Sequence, residues 1–331
     1  MKFKEVIGID VSKFTLDVCL HTLGASLVFE NSKMGYRKII SWVSKNSDIP
    51  LKQVLFCFEH TGLYSFTLAH YLAEKGLNFV LIPGLEIKRS LGIQRGKSDK
   101  VDAQKIALYA FRRKDEFTPY QMPEESLTKL RQLLSLREKL VKQRAGYAGT
   151  LKEQSKFLKR TENMLLFSIP KKLINQFDKQ IESIEKEVDL LLEANPDIKN
   201  KYELITSIIG IGRQTALYLI VITNNFLLFD NHRKLASYAG IAPFPYTSGI
   251  SIKGKTKVNN LANKKIKSLL SSCATSAIRN DPEIKIYFQK RTEKGVHKMN
   301  TINVVRNKLL ARVFAVIKRG TPYVPQCRYA A

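Results

Sequence analysis

Val6-Ile7-Gly8-Ile9-Asp10-Val11-Ser12-Lys13 opens the chain with an apolar run that ends on a carboxylate. Its β-branched residues predict a strand over Glu5–Asp10, with the acid at the strand's end. Leu55-Phe56-Cys57-Phe58-Glu59 repeats the pattern, and a strand over Gln53–Phe58 delivers Glu59 in the same way. Working outward, Thr15–His21, Ala25–Glu30 and Asn78–Ile82 read as further strands, the last stopped by Pro83 and Gly84. Tyr36–Asn46 and Tyr64–Lys75 read as helices, the second ending at Gly76. Strands and helices in this succession predict an α/β domain over residues 1–120, with helices packed on a central sheet.

A third acidic stretch, Lys97-Ser98-Asp99-Lys100-Val101-Asp102-Ala103, spaces two carboxylates i, i+3, which puts both on one face of a helix. Asp10 alone is ordinary, since an Asp after a strand often serves a turn or caps a helix. Asp99 and Asp102 alone are compatible with a solvated helix start capped by Ser98. Taken in order, Asp10, Glu59, Asp99 and Asp102 make a candidate Mg²⁺ site. A hard cation takes carboxylate oxygens and leaves room for water and substrate phosphate. Two such ions are able to clamp the attacking and leaving oxygens of a phosphoryl transfer.

The surrounding chain is strongly basic. Its 331 residues hold 55 Lys and Arg against 29 Asp and Glu, a formal charge of +26. Self-repulsion on this scale calls for a polyanionic partner. Nucleic acid fits better than a membrane surface, because the basic residues are spread over all segments and not gathered on one amphipathic helix. No apolar run approaches the ~18 residues of a membrane span. Cys19, Cys57, Cys273 and Cys327 lie far apart without a metal-type spacing, which suits reduced thiols in the cytoplasm.

From residue 121 to 196 the pattern turns helical. Leu127, Leu130, Leu134 and Val141 follow a three–four rhythm, interrupted by Arg137. Ile174, Phe177, Ile181, Ile184, Val188 and Leu191 keep it without a miss, as in an a/d seam. Pro170 falls between the two runs, so a helical hairpin or coiled-coil arm broken at that proline is expected. The seam is expected to serve as a homo-oligomerisation arm, with a plain helical bundle core as the alternative. Residues 197–331 read as a mainly α domain, with a polar, glycine-containing stretch from 242 to 257.

Two motifs stand out in this last region. Ile205-Thr-Ser-Ile-Ile-Gly210-Ile211-Gly212-Arg213 reads as a helix-hairpin-helix, whose glycines let backbone N–H groups approach a phosphate. A plain corner between two helices is the competing reading. Tyr238-Ala-Gly240-Ile-Ala-Pro243-Phe-Pro-Tyr246-Thr247-Ser248-Gly249 contains a serine that has no Gly-x-Ser-x-Gly elbow around it. Most serines in such settings serve turns. As a nucleophile, Ser248 needs an activator from elsewhere, and a metal ion is one route. Lys253, Lys255, Lys257 and Lys267 lead a densely basic tail with Tyr287, Phe288 and Tyr323 interleaved, suited to backbone neutralisation and stacking.

The three acidic motifs in this order, the Ile-Ile-Gly210-Ile-Gly212 turn, Leu235-Ala-Ser-Tyr-Ala-Gly-Ile-Ala-Pro243 and Ser248-Gly249 together resemble the IS110-type transposases, which include the Piv-type DNA invertases. The resemblance covers nearly the whole chain. It implies an RNase H-like (RuvC-like) N-terminal domain holding Mg²⁺ or Mn²⁺ on Asp10, Glu59, Asp99 and Asp102. It implies that Ser248 attacks DNA and forms a transient phosphoserine link. Its implied partners are donor and target double-stranded DNA, a structured non-coding bridge RNA, and further copies of the chain as a dimer or tetramer, on the nucleoid of a bacterial cytoplasm. One motif departs: where many relatives carry Gly-Asn-x-x-Leu-Arg, this chain has Ala262-Asn263-Lys-Lys-Ile266-Lys267, which keeps the charge but loses a bidentate fork.

The residues leave two alternatives to a serine-dependent recombinase. A RuvC-like nuclease or Holliday junction resolvase would use the carboxylates without Ser248. A non-catalytic nucleic-acid-binding protein would use the hairpin motif and the basic tail alone.

Overall fold

The computed structural model describes residues 3–59, 62–90, 99–248, 252–258 and 261–325, with the backbone alone at 63, 99–100, 246–248, 252–253 and 255–257. The chain divides into two compact units, Met1–Met122 and Pro123–Ala331.

The first unit is α/β. Three consecutive strands, β1 (Glu5–Val11), β2 (Thr15–Leu20) and β3 (Ala25–Glu30), are joined by turns too short for a crossover, so they pair antiparallel. The next two, β4 (Val54–Glu59) and β5 (Asn78–Ile82), are reached through α1 (Lys33–Asn46) and α2 (Leu63–Glu74), and they run parallel to β1. The order is β3-β2-β1-β4-β5, a mixed sheet. After it come α3 (Gly84–Ser90) and α4 (Asp99–Arg112).

Alternation along the strands sorts the core into two layers. Ile7, Ile9, Phe56 and Phe58 face α1 and α2, against Tyr36, Ile39, Val43, Leu68 and Leu72. Val6, Leu55, Cys57, Val80 and Ile82 face α3 and α4, against Ile87, Ile106 and Tyr109. β1 and β4 are therefore covered on both faces, which is why their sequences are almost unbroken apolar runs.

The second unit is mostly helical. Long helices α5 (Glu125–Phe157) and α6 (Met164–Glu193) form an antiparallel pair, held across by Arg137–Glu185 at 2.7 Å and Arg144–Asp178. The pair turns at residues 158–163, and Pro170 lies inside α6, so the expected break at the proline is corrected. Proline in a helix forgoes one bond, here to the Leu166 carbonyl. Leu166 and Ile169 are exposed, so water is available to that carbonyl. At the other end Leu127, Leu130, Leu134, Ile184, Val188 and Leu191 enter the same core as the helices that follow.

Those helices are α7 (Pro196–Thr206), α8 (Arg213–Ile222), α9 (His232–Tyr238), α10 (Lys264–Asn280), α11 (Pro282–Glu293) and α12 (Lys298–Arg319). Between α9 and α10 the polar stretch forms an antiparallel ribbon, β6 (Pro243–Ser248) and β7 (Ile252–Val258), with an irregularity between Phe244 and Tyr246. Among the described residues no helix is long and apolar enough to cross a membrane.

Candidate active site

Sheet register brings the first two carboxylates together. Ile9 pairs with Phe58 across the parallel ladder, so the next position sets Asp10 beside Glu59 at the C-terminal ends of β1 and β4. Both fall on the α4 side by alternation with Gly8 and Cys57. Asp10 is also directly opposite Asp17 in the antiparallel ladder, which adds a third acid to the same row. Like charges facing each other across strands repel unless a cation sits among them.

Contact between α4 and β1 delivers the helical pair. A Cβ on Gly8 would lie 2.3 Å from the Ala103 carbonyl and 2.4 Å from the Ala107 amide, so the helix backbone rests directly on the strand. At its far end Phe111 stacks on His21 with centroids 4.1 Å apart, beside the start of β1. The helix thus runs antiparallel to β1, and its first turn points to the carboxylate end. Asp102 is partly buried there and accepts from Lys105 Nζ at 2.8 Å. Asp99 begins the helix, and its side chain lies outside the described residues.

The Glu59 carboxylate lies over the first residue of α3: a Cβ on Gly84 would come within 2.0 Å of its Oε1. Tyr109 of α4 donates to Glu86 of α3 at 2.9 Å, and Arg113 donates to the same hydroxyl, which ties the two helices. Burial, then the Glu86 hydrogen bond, pushes the Tyr109 phenol above its ordinary pKa.

Carboxylate oxygens are the donors a hard divalent cation takes. Asp10, Asp17 and Glu59 in one row supply such oxygens, so the chemistry of the donor set fits such an ion, while Asp102 would exchange its pairing with Lys105 for the metal. Among the described residues no three His, Cys, Asp or Glu side chains converge into a finished cage. Water and substrate phosphate would complete the shell.

Ser248 is the last residue of β6, paired through its backbone with Ile252. Its side chain, like those of Lys253, Lys255 and Lys257 in β7, lies outside the described residues. The ribbon is anchored at its root. The Ile241 carbonyl accepts from Asn303 at 2.8 Å and Asn307 at 3.1 Å, both on α12. Asn263 donates its amide to the Tyr238 carbonyl at 2.9 Å and caps α10 by accepting from Lys265 and Ile266. The asparagine of the divergent Asn263-Lys-Lys-Ile266-Lys267 stretch therefore joins the ribbon's exit to a helix start. Lys267 is partly buried on α10.

The glycine turn joins α7 to α8. Gly210 has φ +96°, and a Cβ there would meet Ala277 of α10 at 2.7 Å, so this glycine admits a packed helix. Gly212 caps α8, with open space where a Cβ would be. Arg213 donates to Asp189 of α6 at 2.6 Å and stands 5.9 Å from the Tyr202 ring. It thus has a carboxylate partner within its own unit.

Comparison with known proteins matches both units to one family. A transposase model, of the DEDD type in IS110 elements, matches residues 7–158, and a second, transposase IS116/IS110/IS902 family, matches residues 202–289. Together they cover well over half of the chain. The chain belongs to the IS110 family of transposases. It is an enzyme of the DNA transposase and recombinase class. Among the relatives, the pilin gene-inverting protein of Moraxella bovis is 28% identical over 97% of this chain and 98% of its own length. The transposase for insertion sequence element IS1111A of Coxiella burnetii is 23% identical over 98% of this chain and 92% of its own. A 43.6 kDa protein of insertion element IS110 from Streptomyces coelicolor is 30% identical over 44% of this chain and 34% of its own.

Within this transposase, three residues at the sheet edge escape a reading by motif. Asp17 sits seven positions after Asp10 and meets it only because β1 and β2 pair antiparallel. Gly84 reads as a strand terminator, while the structure uses it as the surface under Glu59. Lys105 is one lysine among many until α4 sets it three residues from Asp102 on the same face.

Proposed function

We propose that this transposase is a site-specific DNA recombinase that cuts and rejoins strands through Ser248, with Mg²⁺ (or Mn²⁺) held by Asp10, Glu59, Asp99 and Asp102 of an RNase H-like domain. The register that puts Asp10 beside Glu59, with the first turn of α4 at the same end, carries this reading. The bound ion supplies Lewis-acid charge to the scissile phosphate. The chain's own carboxylates hold that charge in place and orient it from rigid elements. Ser248 Oγ forms the new bond to phosphorus as the sugar oxygen departs. The proton lost by the serine is balanced by the one the departing hydroxyl gains. The phosphoserine conserves the energy of the broken bond, so a second strand's hydroxyl is able to reverse the step without an external energy source.

Charge and resemblance support the partners. A chain at +26 suits duplex DNA and a structured non-coding bridge RNA, with base pairing reading sequence while protein holds backbone. Lys253, Lys255, Lys257 and Lys267 and the Gly210–Arg213 turn are the proposed backbone contacts. The α5–α6 pair is the proposed oligomerisation arm, since Phe157, Met164, Leu165 and Ile169 near its turn are exposed.

Denaturing electrophoresis of the protein incubated with substrate DNA and Mg²⁺ tests the reading. A covalent protein–DNA adduct is expected, absent in Ser248→Ala and in Asp10→Asn. Normal cutting by Ser248→Ala without an adduct would replace it with a hydrolytic nuclease or resolvase. Binding without any cutting by the intact protein would leave a non-catalytic binder.

A further inference from the structure

Helix α12 carries a buried arginine, Arg306, and a half-buried one, Arg312, and the fold treats them differently. Arg312 lies 2.6 Å from both Asp281 and Glu283, and its guanidinium stands over the Tyr323 ring. Asp281 is itself 3% exposed, so this is a charge buried together with its counter-ion. Arg306, less than two turns earlier, is only 6% exposed, and among the described residues no carboxylate pairs with it. Its Nη1 donates to Asn303 Oδ1 at 3.3 Å, and its buried Nε donates to nothing. Burial alone drives its pKa below the ordinary arginine value, with no acid opposing the shift.

An unpaired cation in a protein interior is heavily penalised, so its retention calls for a partner that arrives from outside. The neighbourhood says where. The Asn303 amide that receives Arg306 also donates to the Ile241 carbonyl, two residues before β6, and Asn307 donates there too. Arg306, Asn303 and Ile241 therefore form a chain of contacts from the buried charge to the root of the ribbon that carries Ser248. The chemistry says what. A guanidinium fork matches the two free oxygens of a phosphate. A second copy of this chain is a poor source of anions, with 29 acids against 55 bases.

We propose that Arg306 receives a backbone phosphate of the DNA substrate at the root of the β6–β7 ribbon. This rests on the reading of the protein as one that binds DNA directly. Because Asn303 is shared, engagement of the phosphate is coupled to the anchor of the ribbon.

The test compares Arg306→Met, Arg306→Lys and Arg312→Met by thermal unfolding and by binding of a short random-sequence duplex across a series of salt concentrations. Arg306→Met keeps the apolar stem and removes the unpaired charge, so its Tm is expected to equal or exceed that of the wild type. Its affinity for the duplex is expected to fall on the order of tenfold, with the log–log salt slope flatter by about one. Arg306→Lys is expected to recover the slope but not the full affinity. Arg312→Met strands Asp281 and is expected to do the reverse, losing Tm while keeping the slope. The proposal is overturned if Arg306→Met lowers Tm or does not fold, which would make the arginine structural. It is equally overturned if that variant binds the duplex as the wild type does, at an unchanged slope. A wild-type protein that shows no salt-dependent duplex binding would sink the DNA reading itself, whatever Arg306 does.

Discussion

The sheet edge that carries the carboxylates and the ribbon that carries Ser248 are built by opposite means. At the edge, Asp10 and Glu59 are fixed by ladder register, and α4 is pressed onto β1 until only a glycine fits between them. The ribbon has two strands and is pinned at its root by asparagine side chains. The carboxylates are placed by the core of their own unit, and the ribbon is tethered to the helices of its own. Under the proposed function, rigid placement would suit charges that hold a cation, and a tethered strand would suit a nucleophile that reaches a substrate and later releases it.

Chemistry at the two regions gives the largest expected effect. Asp10→Asn and Ser248→Ala each reduce strand exchange by roughly a thousandfold or more while the far-ultraviolet spectrum stays unchanged. The two glycines separate position from fold. Gly8→Ala drives a methyl into the Ala103 and Ala107 backbone, and a loss of about 3 kcal/mol in denaturant unfolding is expected. Gly84→Ala meets only the movable end of Glu59, so Tm changes little, but cutting falls on the order of 10–100-fold as the carboxylate is displaced. If both variants behave alike, the sheet edge is not as rigid as its contacts imply.

At the ribbon's root, Asn307→Ala removes one of two hydrogen bonds to Ile241, costing about 1 kcal/mol. Faster amide exchange is expected over 243–258, with none at β1 or β4. The smallest effect is a pH dependence. Burial lowers the His21 pKa, Glu5 opposing and Lys114 and Arg112 reinforcing, so the folded value lies below the unfolded one of about 6.5. The neutral ring's contribution is complete above that value and is lost as pH falls through the folded pKa. Tm is expected to drop on acidification slightly more in the wild type than in His21→Phe.

Much of the first unit is legible in its residues. β3 and β5 fall on the predicted spans, β1 and β2 differ by a residue at one end, and β4 is shifted by a residue. Buried strands announce themselves because both faces need apolar side chains. Helix starts are less legible: α1 begins at Lys33, before the predicted Tyr36, because Ser32 caps it by accepting from Gly35. The strand order and the Asp10–Asp17 pairing depend on which strands meet, which no local pattern encodes. In the second unit the β6–β7 ribbon was hidden by its lysines, glycine and prolines, which are weak strand formers. Arg306 was invisible for a different reason. In a tail so rich in basic residues, nothing local separates the one that is buried from those that are solvated.

The α5–α6 pair also sets a distance. At 1.5 Å per residue, the 33 residues of α5 span about 50 Å. That is the length of roughly 15 base pairs of duplex, near one and a half helical turns. The first half of α5, through Leu140, lies against the helices that follow, so only the second half, about 25 Å, stands clear of them, and whatever meets the turn is held about that far from their core.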